Sequence, residues 1–261
     1  MSLLLNLAAT LVAVVVVLAI TFAISVRRGK FDTIDTVWGL GFAVIAIVTF
    51  ALSTGDLAVR LVATVLPVVW GVRLAVHLHR RNRGKPEDRR YVKILADAKG
   101  SPLAHMARVV FLPQGAIMWF VSLPVQVAQY STFGPIAYAG IAVWLTGFVF
   151  ESVGDWQLSR FSADPANKGT VLDTGLWRYT RHPNYFGDAC VWWGLYLVAC
   201  SSWLGAATVL SPVLMTFMLA KGTGKPLTEK HLSSSRPGYA DYVARTSGFF
   251  PLPPRKRGAP A

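Results

Sequence analysis

Apolar residues run through this chain in blocks too long for a soluble core. No charge interrupts Leu3 to Val26, Val109 to Phe150 or Ala189 to Ala220, and about 18 such residues already suffice for a membrane-spanning helix. The pattern predicts an all-α polytopic membrane protein, a seven-helix bundle with spans at about 3–26, 34–53, 57–79, 109–130, 135–157, 185–202 and 205–222. The 32 residues from Ala189 to Ala220 are too few for two crossings, so the sixth span must start near Tyr185 and carry Asp188 to the membrane face. The first span is too long and too weakly basic at its start for a cleaved signal peptide, and is expected to stay as a helix. A single membrane domain over 1–250, with a cofactor-binding part at about 100–250, and a proline-rich basic tail at 251–261 account for the chain.

Composition agrees: 53% of residues are apolar and 15% charged, against about 25% charged in soluble domains. This excludes disorder and an ordinary soluble enzyme. The net charge of +13 acquires meaning from its placement. With seven spans, 24 of the 26 Lys and Arg fall at one face, counting Lys221 at the end of the last span; Arg60 lies at the other face and Arg73 within the third span. The positive-inside rule makes the basic face cytoplasmic, with the amino terminus outside and the carboxyl terminus in the cytoplasm. Such charge points to membrane lipids or an anionic ligand and not to nucleic acid. The opposite-side connections are a few residues long, so function belongs in the membrane or on the cytoplasmic face. Cys190 and Cys200 sit ten residues apart in one span, roughly 15 Å along a helix and beyond disulfide reach.

Candidate chemistry concentrates in Asp173 to Asp188. Pro183 removes His182 from the α region and suits the first turn of a following helix. A helix start flanked by Arg178, Arg181 and His182, with Asn184, Tyr185 and Asp188 beside them, forms an anion site suited to phosphate; interfacial cations facing lipid headgroups are the plainer reading. Glu151 and Asp155 share one helix face at the end of the fifth span. They line a polar cavity or pair with Arg160, Arg178 or Arg181. Asp35, opening the second span, and His77, closing the third, lie at the same boundary depth, where they form a proton donor or merely cap helix ends. Gln114 and Gln126 suit interhelical hydrogen bonds. In the tail, Tyr239, Tyr242 and Arg245 fall on one face of a short amphipathic helix. No dinucleotide fingerprint, Walker loop, zinc pattern or nucleophile elbow occurs, and no metal site is expected.

The stretch Gly175-Leu176-Trp177-Arg178-Tyr179-Thr180-Arg181-His182-Pro183-Asn184-Tyr185-Phe186-Gly187-Asp188, with Glu151 to Asp155 before it and Pro237-Gly238-Tyr239 through Pro251 after it, resembles the bacterial DUF1295-type membrane family. That family is similar to the steroid 5α-reductase carboxy-terminal domain. The resemblance spans roughly residues 100–255. It implies a bacterial inner-membrane protein holding NADPH in a cytosol-facing cavity and delivering hydride to a carbon–carbon double bond conjugated to a carbonyl in a lipid-like substrate. By motif position, Asn184, Asp188 and Asp155 look like cofactor-cavity residues.

This sequence departs from the steroid enzymes at one point. They place a Gln-Glu pair at the start of the second span and a tyrosine just before a His-Arg closing the third. Here the nearest positions hold Asp35 and, ahead of His79-Arg80, His77. The Arg-His-Pro-x-Tyr-x-Gly core, the later Glu229 and the Gly-Tyr-x-x-Tyr-x-x-Arg beginning at Gly238 with Tyr239 also resemble isoprenylcysteine and phospholipid methyltransferases. That resemblance implies S-adenosylmethionine as the alternative cofactor. A non-enzymatic membrane scaffold or transporter is the third reading, and it leaves the intramembrane carboxylates without a role unless they relay protons.

Overall fold

The computed structural model describes residues 1–222 and 224–255, with His231 by its backbone alone; the end of the expected tail, 256–261, lies outside the described residues. Its helices are α1 (Leu3–Arg28), α2 (Thr33–Leu52), α3 (Leu57–Asn82), α4 (Arg89–Ala96), α5 (Pro102–Met106), α6 (Leu112–Val121), α7 (Leu123–Ala128), α8 (Ile136–Ala163), α9 (Pro183–Ala199), α10 (Trp203–Ala206), α11 (Leu210–Ala220), α12 (Lys225–Ser235) and α13 (Tyr239–Arg245). No strand occurs among the described residues; the sole bridge pairs Thr180 with Ser247. Among the described residues, six stretches are long and apolar enough to cross a membrane: α1, α2, α3, Pro102–Ala128, α8 and Trp203–Ser235. This is an integral multi-pass membrane protein. The helix at the expected sixth span, α9, has 17 residues and starts at Pro183.

The chain divides into two compact units, Met1–Tyr138 with Leu195–Ser211, and Ala139–Gly194 with Pro212–Ala261. In the first, α2 packs between α1 and α3. The α2–α3 crossing is close because glycines meet there: a Cβ on Gly39 would lie 2.4 Å from the Gly71 carbonyl oxygen. Small residues let helix backbones approach where lipid supplies no hydrophobic drive. The amphipathicity of α1 is inverted. Asn6, Thr10, Thr21 and Ser25 are buried while Leu4, Val12, Val15 and Ile20 are exposed, as suits a helix whose solvent is hydrocarbon. Part of the inward polar stripe is bonded across the unit: Gln126 Oε1 accepts from the Thr10 hydroxyl at 2.6 Å and from Asn6 Nδ2 at 3.4 Å, and Gln126 Nε2 donates to Ser122 Oγ at 2.8 Å. Gln126 thus makes the interhelical bonds expected of it.

The fourth span is broken. A π-helical turn at Ala107–Phe111 precedes Pro113, and Pro124 opens α7; each proline removes a donor from the ladder. Ahead of it stands α4, which the charge-based reading passed over as a basic loop. Asp88 caps it by accepting from Arg90 N at 2.8 Å, and Tyr91, Ile94 and Leu95 recur on one face, with Tyr91 buried.

In the second unit, α8 and α9 cross at glycines of both helices. A Cβ on Gly187 would lie 2.4 Å from Glu151 N and 2.6 Å from the Gly147 carbonyl, and one on Gly194 2.6 Å from Trp144 N. This contact sets Glu151 and Asp155 beside the first turns of α9. The segment after α13 runs alongside 179–181: Arg181 N donates to Ser247 O at 2.9 Å, Thr180 Oγ1 to Phe249 O at 2.8 Å and Leu252 N to Tyr179 O at 3.0 Å. Each such bond contributes about 1 kcal/mol net. The short helix expected around Tyr239 to Arg245 forms, but both tyrosines face inward at 2% exposure, and Tyr242 Oη donates to Trp177 O at 2.5 Å.

Candidate functional site

Two polar clusters stand out, one in each unit. In the first unit, Asp35 sits in the opening turn of α2. Its Oδ1 accepts from the Tyr91 phenol at 2.6 Å, and its Oδ2 pairs with Arg90 Nη2 at 2.8 Å. The partners come from α4, not from α3, so at Asp35 the expected imidazole is replaced by a phenol and a guanidinium. His77 lies half-buried near the end of α3. The cluster is braced from outside. Arg90 also holds Asp88 at 3.1 Å, and Glu87 accepts from the backbone N–H groups of Phe31 and Asp32, the latter at 3.0 Å, fixing the start of α2. Burial, followed by the negative charge of Asp35, pushes the Tyr91 phenol far above its ordinary value; it remains a protonated donor throughout the physiological range. Asp88 is held below its usual range because the bonds from Arg90 outweigh its partial burial.

In the second unit, Glu229 of α12 collects Arg181 and His182. Arg181 Nε donates to Oε1 at 2.8 Å, and His182 Nε2 lies 3.1 Å from the same oxygen. The His182 ring is stacked on that of Tyr185, with centroids 5.2 Å apart and planes 1° apart. Tyr185 Oη meets Thr228 Oγ1 at 3.3 Å, and Asn184 Nδ2 donates to Asp155 Oδ1 at 3.1 Å. Arg181 Nη1 donates to the carbonyls of Thr246 at 2.6 Å and Val243 at 3.2 Å. The structure thus brings Arg181, His182 and Glu229 together, with Tyr185 stacked on His182 and Asn184 paired with Asp155. Tyr239 is buried nearby, and burial pushes its phenol up to about 12. Arg178 and Arg160 are exposed. Arg160 lies over the Trp156 ring at 5.7 Å; of the two roles open to Glu151 and Asp155, pairing with Arg160 is not the one its aromatic contact reports. Glu151 is buried and Asp188 half-buried beside this helix start.

A cavity of about 330 Å³ opens here, lined by Arg181, Arg245, Thr246, Gly248 and Arg255 among others. Arg245 is anchored by an ion pair to Asp173. A Cβ on Gly248 would sit 2.6 Å from Lys225 Nζ and 3.1 Å from Arg181 Nη2. Two cations thus converge on the one residue type that leaves the space open. No group of metal-ligating side chains occurs among the described residues.

Burial holds His182 below its ordinary value, and the Glu229 carboxylate beside it opposes this only in part. A histidine kept neutral in the fold adds stability above the unfolded value of about 6.5. That contribution fades as pH falls from there through the folded value. The thermal midpoint of detergent-solubilised protein is expected to drop between about pH 7 and pH 5, and His182→Gln to flatten that dependence. An equal slope in the variant would assign the acid sensitivity to other groups.

Helical spans, with polar clusters and a cationic cavity at helix ends, define an integral multi-pass membrane protein. The chain belongs to the family described as Protein of unknown function (DUF1295), whose model matches residues 21–246. It is similar to an uncharacterized protein of Schizosaccharomyces pombe, C594.04c, at 24% identity over 216 residues, which cover 71% of this chain and 61% of the yeast protein. The chain thus spans about three fifths of that relative's length. No solved structure matches.

Proposed function

We propose that the protein is a membrane-embedded, NADPH-dependent reductase of a carbon–carbon double bond conjugated to a carbonyl, acting on a sterol, isoprenoid or fatty acyl substrate. The observation that carries this reading is the Tyr91 phenol on Asp35, backed by Arg90. It supplies a carboxylate–tyrosine pair, the chemistry that the steroid-reductase resemblance calls for, from a helix outside the pattern. As hydride adds to the β-carbon, the π electrons move to the carbonyl oxygen, and a positioned donor stabilises that oxygen most where charge develops. The Tyr91 hydroxyl turns from Asp35 to the oxyanion, while Arg90 keeps the Asp35 carboxylate paired. A proton from water completes the α-carbon. NADPH supplies the hydride when bound.

The donor set of the second unit suits this cofactor. Arg181 Nη2, Lys225 and Arg255 meet the needs of phosphate groups, whereas the single carboxylate of S-adenosylmethionine requires one cation. Titration calorimetry of the purified protein with each cofactor is expected to show saturable NADPH binding, weakened about tenfold or more by Lys225→Gln. Binding of S-adenosylmethionine with no NADPH heat would replace reduction by methyl transfer to a membrane lipid, and binding of neither would favour a scaffold or transporter.

A further inference from the structure

We infer a second, separate site in the first unit that binds a phosphate group, and it stands independently of the reductase reading. A cleft of about 390 Å³ lies at one end of the α1–α3 bundle, where α1 ends, α2 begins and α3 ends. It is lined by Arg28, Lys30, His79, Arg83 and Lys85, with Asp32 as its acidic member and Thr33, Thr36 and Asn82 as neutral hydrogen-bonding groups.

Asp32 is already compensated by Lys30 at 3.3 Å. Among the described residues, the side chains of Arg28, Arg83 and Lys85 enter no hydrogen bond or ion pair, so three cations face this space without counter-charge. The walls are tied beforehand. Lys30 Nζ donates to Lys85 O at 2.9 Å, Glu87 holds the N–H groups of Phe31 and Asp32, and Gly29, at φ 63°, turns the chain from α1 to Lys30. A closed α1–α2 connector pinned to the loop after α3 presents its cations in fixed positions, which lowers the ordering penalty of binding. Convergent cations and hydroxyls at the end of membrane-spanning helices match the phosphate of an acidic phospholipid headgroup; a soluble phosphate has the same recognition chemistry.

The test is ligand-induced thermal stabilisation of the full chain in detergent, read by tryptophan fluorescence. Short-chain phosphatidylglycerol, short-chain phosphatidylcholine and inorganic phosphate are compared for the wild type, for the triple variant Arg28→Gln, Arg83→Gln, Lys85→Gln, and for a matched surface variant Lys99→Gln, Lys168→Gln, Arg108→Gln. The expected result is a saturable upward shift with phosphatidylglycerol, its half-saturating concentration raised about tenfold or more in the cleft variant and unchanged in the matched one. A shift with inorganic phosphate of the same size and same variant dependence assigns the site to a soluble phosphate. The proposal is overturned if neither phosphate source shifts the wild type, if phosphatidylcholine does so equally, or if both variants lose the shift alike. Should the cleft variant fail to fold, Arg83→Gln alone gives the same reading at smaller amplitude.

Discussion

Tyr91→Phe is expected to lower turnover by about 10²- to 10⁴-fold, the usual worth of a positioned proton or hydrogen-bond donor at a developing oxyanion. The substitution removes one hydroxyl and leaves the ring in its buried place. Asp35 keeps its ion pair with Arg90 at 2.8 Å, so no isolated charge is left behind. The thermal midpoint is expected to fall modestly, because Asp35 Oδ1 loses its phenol donor at a cost of about 1–3 kcal/mol, while NADPH affinity stays near its wild-type value and the rate collapses. The measurement is NADPH consumption with whichever conjugated enone or enoyl lipid the wild type reduces. Asp35→Asn is expected to give an intermediate loss, since an amide still accepts from the phenol but no longer matches Arg90. A Tyr91→Phe rate within about twofold of wild type would remove the phenol from the chemistry.

Arg181→Ala is expected to destabilise the ligand-free protein by about 3 kcal/mol or more. The guanidinium is 10% exposed and Glu229 21%, and removing one partner of such a pair strands the other. The carbonyls of Thr246 and Val243 lose their side-chain donor as well. Thermal unfolding of the apo protein, with limited proteolysis to report release of the 246–252 segment, measures this. Arg181→Lys recovers only part of the loss, because an ammonium does not reproduce a fork that reaches a carboxylate and two carbonyls at once. An unmoved midpoint combined with weakened NADPH binding would make Arg181 purely a ligand contact.

Much of this architecture was legible in the sequence because hydrocarbon imposes a coarse rule, long charge-free runs, which survives without knowledge of packing. Pro183 marked the start of α9 and the three-residue spacing of Tyr239, Tyr242 and Arg245 marked α13, both being local signals. What escaped was contact between segments distant in sequence. The stretch 80–108 announced itself as positive charge, and that reading masked α4, although Asp88 as an N-cap and the Tyr91-Ile94-Leu95 spacing were in plain view. His77 drew attention as the polar side chain nearest to where a tyrosine was sought, yet the phenol on Asp35 arrives from 56 residues downstream of it. In the carboxy-terminal part, residue types pointed to Arg181 and His182 as a cationic helix start, and a resemblance alone singled out Glu229. Neither signal gave any indication that Nε and Nη1 of Arg181 are engaged within the protein, leaving Nη2 toward the cavity.

The polar stripe of α1 carries a consequence for biosynthesis. Before Gln126 is made, Thr10 has Leu7 O within its own helix and Asn6 has Thr49 Oγ1 of the second span. Both also donate to Gln126, which follows Thr10 by 116 residues. At about 5–20 residues per second, roughly 6–23 s of translation separate the two. During that interval the polar stripe of the first helix lacks its strongest interhelical acceptor, which favours retention of that helix at the insertion machinery until the fourth span emerges. Truncated nascent chains ending before Gln126 are thus expected to crosslink through α1 to that machinery, and chains extending past it to be released.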